Sequence, residues 1–562
     1  MTAISVIPPG LPLLLGALLL PLCTVRLRTL LVLGLPLLVL ALVWQLPAGT
    51  VLTLDFLGYE LAPVSDSRTG RLFATVFAIM AFAGGLFGLN HMRVPELSAA
   101  LLSAGSAISI AFAGDLVTLL VFWEALALAS TLLVWSARTP QSRDAGLRYL
   151  VLHLFGGVLL LSGIIGHIAA TGSVAFAAMT LDSPAHWLIL GGFLINAGAP
   201  PLSAWLPDAY PEASPGGMVA LSAFTTKTAV FVLLTGFPGA DILIGFGLYM
   251  VFYGIIYALL ENDMRRILAY SIVNQVGFMI VGIGIGTELS LNGAAAHAFT
   301  HIIYKALLLM SAGSVLYMTG KRKCTDLGGL FQSMPLTAIC GIIGALAISS
   351  FPLTSGFISK SMISQAAADQ HLAMVWFLLV AASAGVFLHA GIKFPWFVFF
   401  QKDSGLRPPD PPLNMRRAMI LFAFLCIALG AWPAPLYALL PHPVDYVPYT
   451  YAHVVTMLQL LLFSGLAFFI MLPYLKRTLT ITLDWDWLYR WLAPRVIDRT
   501  TRVADRWHRH RSIDMLRHIG HFFGRLFLYH GPQGILARTW ATGSMVLWVV
   551  ILLGIYLVAY YY

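Results

Sequence analysis

Apolar residues in this chain neither alternate nor recur as a single stripe every third or fourth position. They come in long, nearly unbroken runs, separated by short polar connections. A run of about 20 such residues is the length an α-helix needs to cross the hydrocarbon core of a bilayer. Spans fall near 5–23, 30–46, 72–90, 97–113, 115–136, 146–170, 186–203, 216–236, 240–261, 266–286, 292–319, 335–366, 372–400, 414–434, 452–473 and 541–561. The pattern therefore predicts an all-α polytopic membrane protein with about 16 transmembrane helices.

Composition agrees. Of 562 residues, 59% are hydrophobic and 10% charged. About a quarter of a soluble domain is charged, so this chain could not keep a soluble surface. The N-terminus lacks a basic stretch before its apolar run, and the expectation is that this run stays as the first span. Cys23, Cys324, Cys340 and Cys426 are scattered. No Cys or His pair has metal-ligand spacing, so neither metal, cofactor nor disulfide framework is expected. The net charge of +9 reads as cytoplasmic loops, not as nucleic-acid binding.

The basic residues also orient the spans. Arg26, Arg28, His91, Arg93, Arg138, Arg143, Arg148, Arg265, Arg266, Lys321, Arg322, Lys323, Lys402, Arg407, Arg416 and Arg417 all lie in connections on one side. Asp55, Glu60, Asp66, Asp115, Asp182, Asp241, Glu288, Asp369 and Asp445 lie on the other. The positive-inside rule then puts the N-terminus outside and the basic loops in the cytoplasm, in a bacterial-type inner membrane. The loop with Asp208 and Glu212 is the exception, with no base of its own. Residues 483–540 are rich in Arg, His and Trp, including the run from Asp505 to Arg511. They read as a cytoplasmic amphipathic segment facing anionic lipid or, alternatively, as a docking surface for a partner subunit.

An ionisable group at mid-membrane is a functional candidate by default. Glu124 falls near the centre of the fifth span and Lys227 of the eighth. His297, His301 and Lys305 share one face of the eleventh by their four-residue spacing, and Lys360 lies in the twelfth. Each alone could be a satisfied polar group at a helix interface; as a set they read as a proton relay, because a buried lysine stores or releases a proton according to its neighbour's charge. The seventh span is interrupted by Gly198, Pro200 and Pro201, and the twelfth by Pro352 and Gly356. Paired broken helices mark inverted-repeat transporters.

These residues resemble a known family. The segment Gly192 to Ala209, Thr225 to Lys227, Phe122 to Glu124, Met264 to Ser271, His297 to Lys305 and Gly356 to Lys360 are similar to the antiporter-like subunits of respiratory complex I and of Mrp-type sodium/proton antiporters. The D component of the Mrp type is nearest in pattern, and the likeness covers roughly residues 70 to 435. The resemblance implies a 14-helix core with two inverted five-helix repeats, broken helices 7 and 12, and a polar axis at the membrane midplane. It implies that Glu124 is the glutamate that pairs with a seventh-span lysine, and that Lys227, His301, Lys305 and Lys360 are relay stations. The seventh-span lysine position holds Asn196, which cannot carry a proton. Either Lys227 takes over as the partner of Glu124, or the first half-channel is altered.

The implied organisation is N-terminal helices (1–96), a first half-channel (97–236), a second (240–400), peripheral helices (401–482), the basic segment (483–540) and a last helix (541–562). The implied function is an ion-translocating subunit, working with other membrane subunits and moving protons, with sodium as the candidate coupled ion. It is part of a transporter and not an enzyme, although its family also supplies NADH:quinone oxidoreductases. Alternatives are the pump subunit of a complex I-like dehydrogenase or membrane-bound hydrogenase, an energy-coupling partner in inorganic-carbon uptake, or a scaffold. Gly282 to Gly286 reads as helix packing, and Asp484 to Trp487 as an interfacial anchor.

Overall fold

The computed structural model describes residues 7–473, 484, 486–508, 513–530 and 542–561. Among these, thirteen helices are long and apolar enough to span a membrane, and three shorter apolar helices accompany them. Together they account for all sixteen segments expected from the apolar runs. The chain forms two units, Met1–Asp486 and Trp487–Tyr562.

The first unit opens with α1 (Leu11–Leu19) and α2 (Val25–Gln45). A hairpin of β1 (Val51–Phe56) and β2 (Tyr59–Ser65) then follows, which the apolar pattern does not announce. Its two-residue turn places Leu57 and Gly58 at φ 50° and 82°, the left-handed pair that matches the twist of paired strands. Asp115 accepts from the Ala62 amide at 2.8 Å, tying the hairpin to the start of the fifth span.

The spans that follow are α3 (Arg68–Gly88), α4 (Val94–Phe112), α5 (Leu116–Trp135) and α6 (Pro140–Thr171). Next come α7 (Pro184–Ala197) and the short α8 (Trp205–Ala209), separated by a break that holds Gly198, Pro200 and Pro201. The eighth span is also broken: α9 (Pro215–Ala223) and α10 (Thr225–Gly236) meet at Phe224, two residues before Thr226 and three before Lys227. Then come α11 (Ile242–Leu260), α12 (Met264–Ile285) and α13 (Glu288–Thr319). The twelfth span is split into α14 (Pro335–Ile348) and α15 (Ser355–Asp369). Pro352 lies in this break. Gly356 does not; it sits in the first turn of α15, where a side chain would collide with the Ala347 carbonyl, so glycine here permits the two half-helices to close on each other. The thirteenth span runs from α16 (Ala373–Val386) into π-helical turns at Phe387–Lys393 and Trp396–Phe400. The unit ends with α17 (Leu413–Ala431), the single turn α18 (Ala434–Tyr437) and α19 (Tyr451–Met471).

Short polar residues set the helix ends. Asp115, Thr139, Ser183, Ser214, Asp263 and Thr287 each accept from a backbone amide in the first turn. Gly172, Gly198, Gly286 and Gly320 close helices in the left-handed conformation.

α13 is the hub. It packs on α3, α9, α10, α12, α14, α15 and α17. Of the helices around it, α9, α10 and α12 are buried on all sides, whereas α6 and α19 turn exposed apolar faces outward, as a bundle solvated by lipid requires.

The acidic loop without a base of its own is explained by its neighbours. Asp208 takes a two-pronged bond from Arg148 at 2.7 and 2.9 Å, and Glu212 pairs with Arg322 at 2.8 Å. Arg322 also holds Asp263 at 2.6 Å, and Arg266 holds Glu261 at 3.0 Å. Four connections that the charge pattern put on one side are thus joined by ion pairs at one end of the bundle.

The second unit comprises a π-helical turn (Leu488–Leu492), α20 (Ala493–His508), α21 (Ile513–His530) and the apolar α22 (Thr542–Tyr561). Trp485 and the last residues of the run from Asp505 to Arg511 lie outside the described residues.

Candidate functional site

The buried polar residues gather at the helix breaks and along α13, and helix-end chemistry explains where the lysines sit. The Lys227 ammonium donates to the Ser222 carbonyl at 2.6 Å and to Thr226 Oγ1 at 3.0 Å, at the C-terminal end of α9. Lys360 donates to the Ile348 carbonyl, the last residue of α14, at 2.9 Å, and lies 4.7 Å from the centre of the Phe278 ring. A broken helix leaves unpaired carbonyls and a partial negative charge at its C-terminus, and a cation answers both. Lys393, which the sequence did not single out, does the same for α11: it donates to the carbonyls of Ala258, Leu259 and Glu261 at 3.1, 2.5 and 2.6 Å.

Between these capped ends runs the α13 face. His297 Nε2 lies 3.2 Å from Gln275 Oε1, and His297 Nδ1 lies 3.0 Å from Ser359 Oγ, on the residue preceding Lys360. The amide oxygen can only accept, so Nε2 carries the proton and Nδ1 accepts from the serine in the neutral ring. Tyr304 donates to the same Gln275 oxygen at 3.1 Å. Ser359 and Thr300 hydroxyls are 3.0 Å apart. His301 lies beside His297 and Tyr304, at ring distances of 6.2 and 5.2 Å. Both its nitrogens, and the Lys305 ammonium one turn on, are fully buried without a hydrogen-bond partner among the described residues. An ammonium buried without an acceptor is costly.

Gln275 and Asn274 were missed by the sequence reading. Two adjacent amides in the middle of a 22-residue membrane-spanning helix were the available signal.

Glu124 stands apart. Its carboxylate lies against Gly157 on α6, where there is no room for a side chain. It is only half-buried, between the exposed Val121 and Leu128 on the outer face of α5. No cation comes within ion-pair distance of it among the described residues, and Lys227 is held instead by Ser222 and Thr226. The structure therefore does not join Glu124 directly to Lys227. Asn196 is 1% exposed, and its side-chain oxygen has no hydrogen-bond partner among the described residues. Among the described residues there is no cluster of His, Cys, Asp or Glu with metal-holding geometry.

Broken helices with buried, helix-capping lysines on a many-spanned bundle define a polytopic membrane protein with a polar interior. Residues 113–388, just under half of the chain, match the NADH:quinone oxidoreductase/Mrp antiporter transmembrane family, and the chain is similar to its antiporter-like membrane subunits. It is 29% identical over 394 residues to the A/B polypeptide of a probable K(+)/H(+) antiporter of Rhizobium meliloti, covering 65% of this chain but only 39% of that protein. It is 29% identical over 461 residues to hydrogenase-4 component B of Escherichia coli, covering 72% of this chain and 68% of that one. The fold is that of a chain in the structure of the Mrp complex from Dietzia sp., with a TM-score of 0.78 over 92% of this chain and 61% of that chain, at 22% identity.

Proposed function

We propose that this chain is the ion-translocating subunit of a multisubunit Mrp-type cation/proton antiporter, part of a transporter and not itself an enzyme. The observation that carries the reading is the buried array on α10, α12, α13 and α15: Lys227, Gln275, His297, His301, Lys305 and Lys360, none more than 2% exposed. Protons would pass along this array, with Lys227 and Lys305 as stations and Lys360 as the terminal switch. His297 and His301 bridge them. Each lysine's affinity would follow the charge of the next, since opposite and like charges at close range favour opposite protonation states. Glu124 would set the charge at the outer rim of the first half.

The basic ends of the bundle face the cytoplasm of an inner membrane in this reading, with the N-terminus outside. Other membrane subunits would cover its exposed apolar faces. In the second unit, the Arg495 guanidinium stacks 3.3 Å from the centre of the Trp491 ring, and Trp487, Val496 and Ile497 are exposed. Arginines beside exposed aromatic and aliphatic groups suit an interface rich in anionic lipid.

The test is cation-dependent proton antiport in inverted vesicles carrying the whole complex. Lys305→Ala and Lys227→Ala should both abolish it while the complex still assembles. Full antiport in both would refute the reading. A second reading, the pump subunit of a redox complex, is favoured by the similarity to hydrogenase-4 component B. Iron–sulfur proteins that co-purify with this chain would select it.

A further inference from the structure

The eleventh span carries the polar face of the second half, and the sixth span repeats its construction. α6 and α13 are each 32 residues long. Each is capped by a threonine (Thr139, Thr287) whose side chain accepts from a first-turn amide, and each is closed by a left-handed glycine (Gly172, Gly320). Counted from their first residues, His297, His301 and Lys305 of α13 correspond to Tyr149, His153 and Gly157 of α6. His153 thus occupies the position of His301. The Gly157 position, where α13 has Lys305, is filled instead by the carboxylate of Glu124.

His153 is 1% exposed. Its ring stacks on Tyr149, with centres 3.8 Å apart, and meets the edge of Trp205 at 4.6 Å. Nδ1 lies 2.8 Å from the Tyr149 carbonyl. A carbonyl only accepts, so Nδ1 carries the ring proton and Nε2 is left with its lone pair. That nitrogen is buried and has no hydrogen-bond partner among the described residues. Tyr149, His153 and Gly157 follow one another at four-residue intervals on one face of α6, so Glu124 lies against the turn next to His153, about 6 Å along the axis. On the other side, the Tyr149 hydroxyl reaches Thr225 Oγ1 at 3.3 Å, and Thr225 reaches Ser130 Oγ at 3.1 Å. The next residue, Thr226, accepts from the Lys227 ammonium at 3.0 Å.

We infer that His153 is the relay residue between Glu124 and Lys227, in place of the lysine that Asn196 replaces; the inference rests on the proposed antiport function. The neutral ring takes a proton at Nε2 from the Glu124 side. The resulting cation keeps its Nδ1–H bond to the Tyr149 carbonyl. A proton then leaves Nε2 toward the Tyr149, Thr225 and Thr226 hydroxyls and is accepted by Lys227 once it has given up its own and is a neutral amine, so His153 returns to neutral and Lys227 to the ammonium.

The experiment measures cation-dependent proton antiport in inverted vesicles carrying the full complex, for wild type, His153→Phe, His153→Phe with Asn196→Lys, and Lys305→Ala. Phenylalanine keeps the stack on Tyr149 and the contact with Trp205 but removes both nitrogens. The expected result is at least about a tenfold loss in His153→Phe with assembly intact, and recovery when Asn196→Lys is added, because a lysine in α7 returns a titratable group to the gap. Antiport at more than half the wild-type rate in His153→Phe would overturn the inference. So would a loss that Asn196→Lys does not repair, which assigns His153 a packing role. If His153→Phe does not assemble, His153→Gln, whose amide can still donate to the Tyr149 carbonyl, is judged by the same criteria. Undiminished antiport in Lys305→Ala is a different failure, that of the antiport reading itself.

Discussion

The two halves of the bundle solve the same problem with different chemistry. In the second half, His297, Tyr304, Gln275, Ser359 and Thr300 form one hydrogen-bonded cluster around the fully buried His301 and Lys305, with Lys360 capping the break. In the first half the carboxylate sits at a half-exposed rim, the end of α7 carries Asn196, and α6 buries a histidine stacked on Tyr149. α7 and α14 are both 14 residues long and both end in a break, and His153 stands where α13 has His301, so the backbone frame and this histidine are shared while Lys305 has only Gly157 as its counterpart. A frame of helix ends and breaks can be kept while the charges it carries are redistributed.

The comparison can be broken most severely at Lys305. Lys305→Ala should abolish antiport: losing one buried charge from a coupled set is worth about 3–5 kcal/mol, or at least about a hundredfold in rate. Vesicle antiport with an immunoblot for assembly decides it. Glu124→Gln should cost less, about tenfold, because a half-exposed carboxylate without a paired cation is weakly coupled. An effect as large as that of Lys305→Ala would erase the distinction between the halves. Gly157→Ala should act through the same carboxylate by pushing it from its place on α6, lowering antiport about threefold to tenfold with the steady-state amount of protein unchanged. Gln275→Leu removes the acceptor shared by His297 and Tyr304. Leaving buried donors unpaired costs about 1–3 kcal/mol, to be read as earlier thermal unfolding of the detergent-solubilised protein and a few-fold slower antiport. The smallest effect belongs to the end of the bundle that carries the ion pairs. Asp208→Asn loosens the Arg148 pair, whose arginine is partly exposed, and should cost about 1 kcal/mol or less of stability with antiport near wild type.

Several site residues were legible because they violate the solvent they sit in. Lys227, His297, His301, Lys305 and Lys360 stand out in apolar runs for the same reason that they are buried here. His153 and Lys393 stand out less, since each lies within reach of a span's polar end and reads as a boundary residue. The hairpin of β1 and β2 escaped because a stretch of mixed polarity between spans carries no periodicity to read. The break at Phe224 escaped because it contains neither glycine nor proline.

The sequence by itself determined that the chain crosses a membrane about sixteen times, which ends of the helices are basic, and where two spans must break. Those features follow from transfer free energies and backbone chemistry, which are local. It could not determine which polar groups meet. Whether Glu124 faces Lys227 or Gly157, which bases answer Asp208 and Glu212, and which carbonyls the lysines cap depend on how helices far apart in the chain pack. Each buried polar group must find a partner among those its neighbours bring, and only the tertiary structure supplies the neighbours.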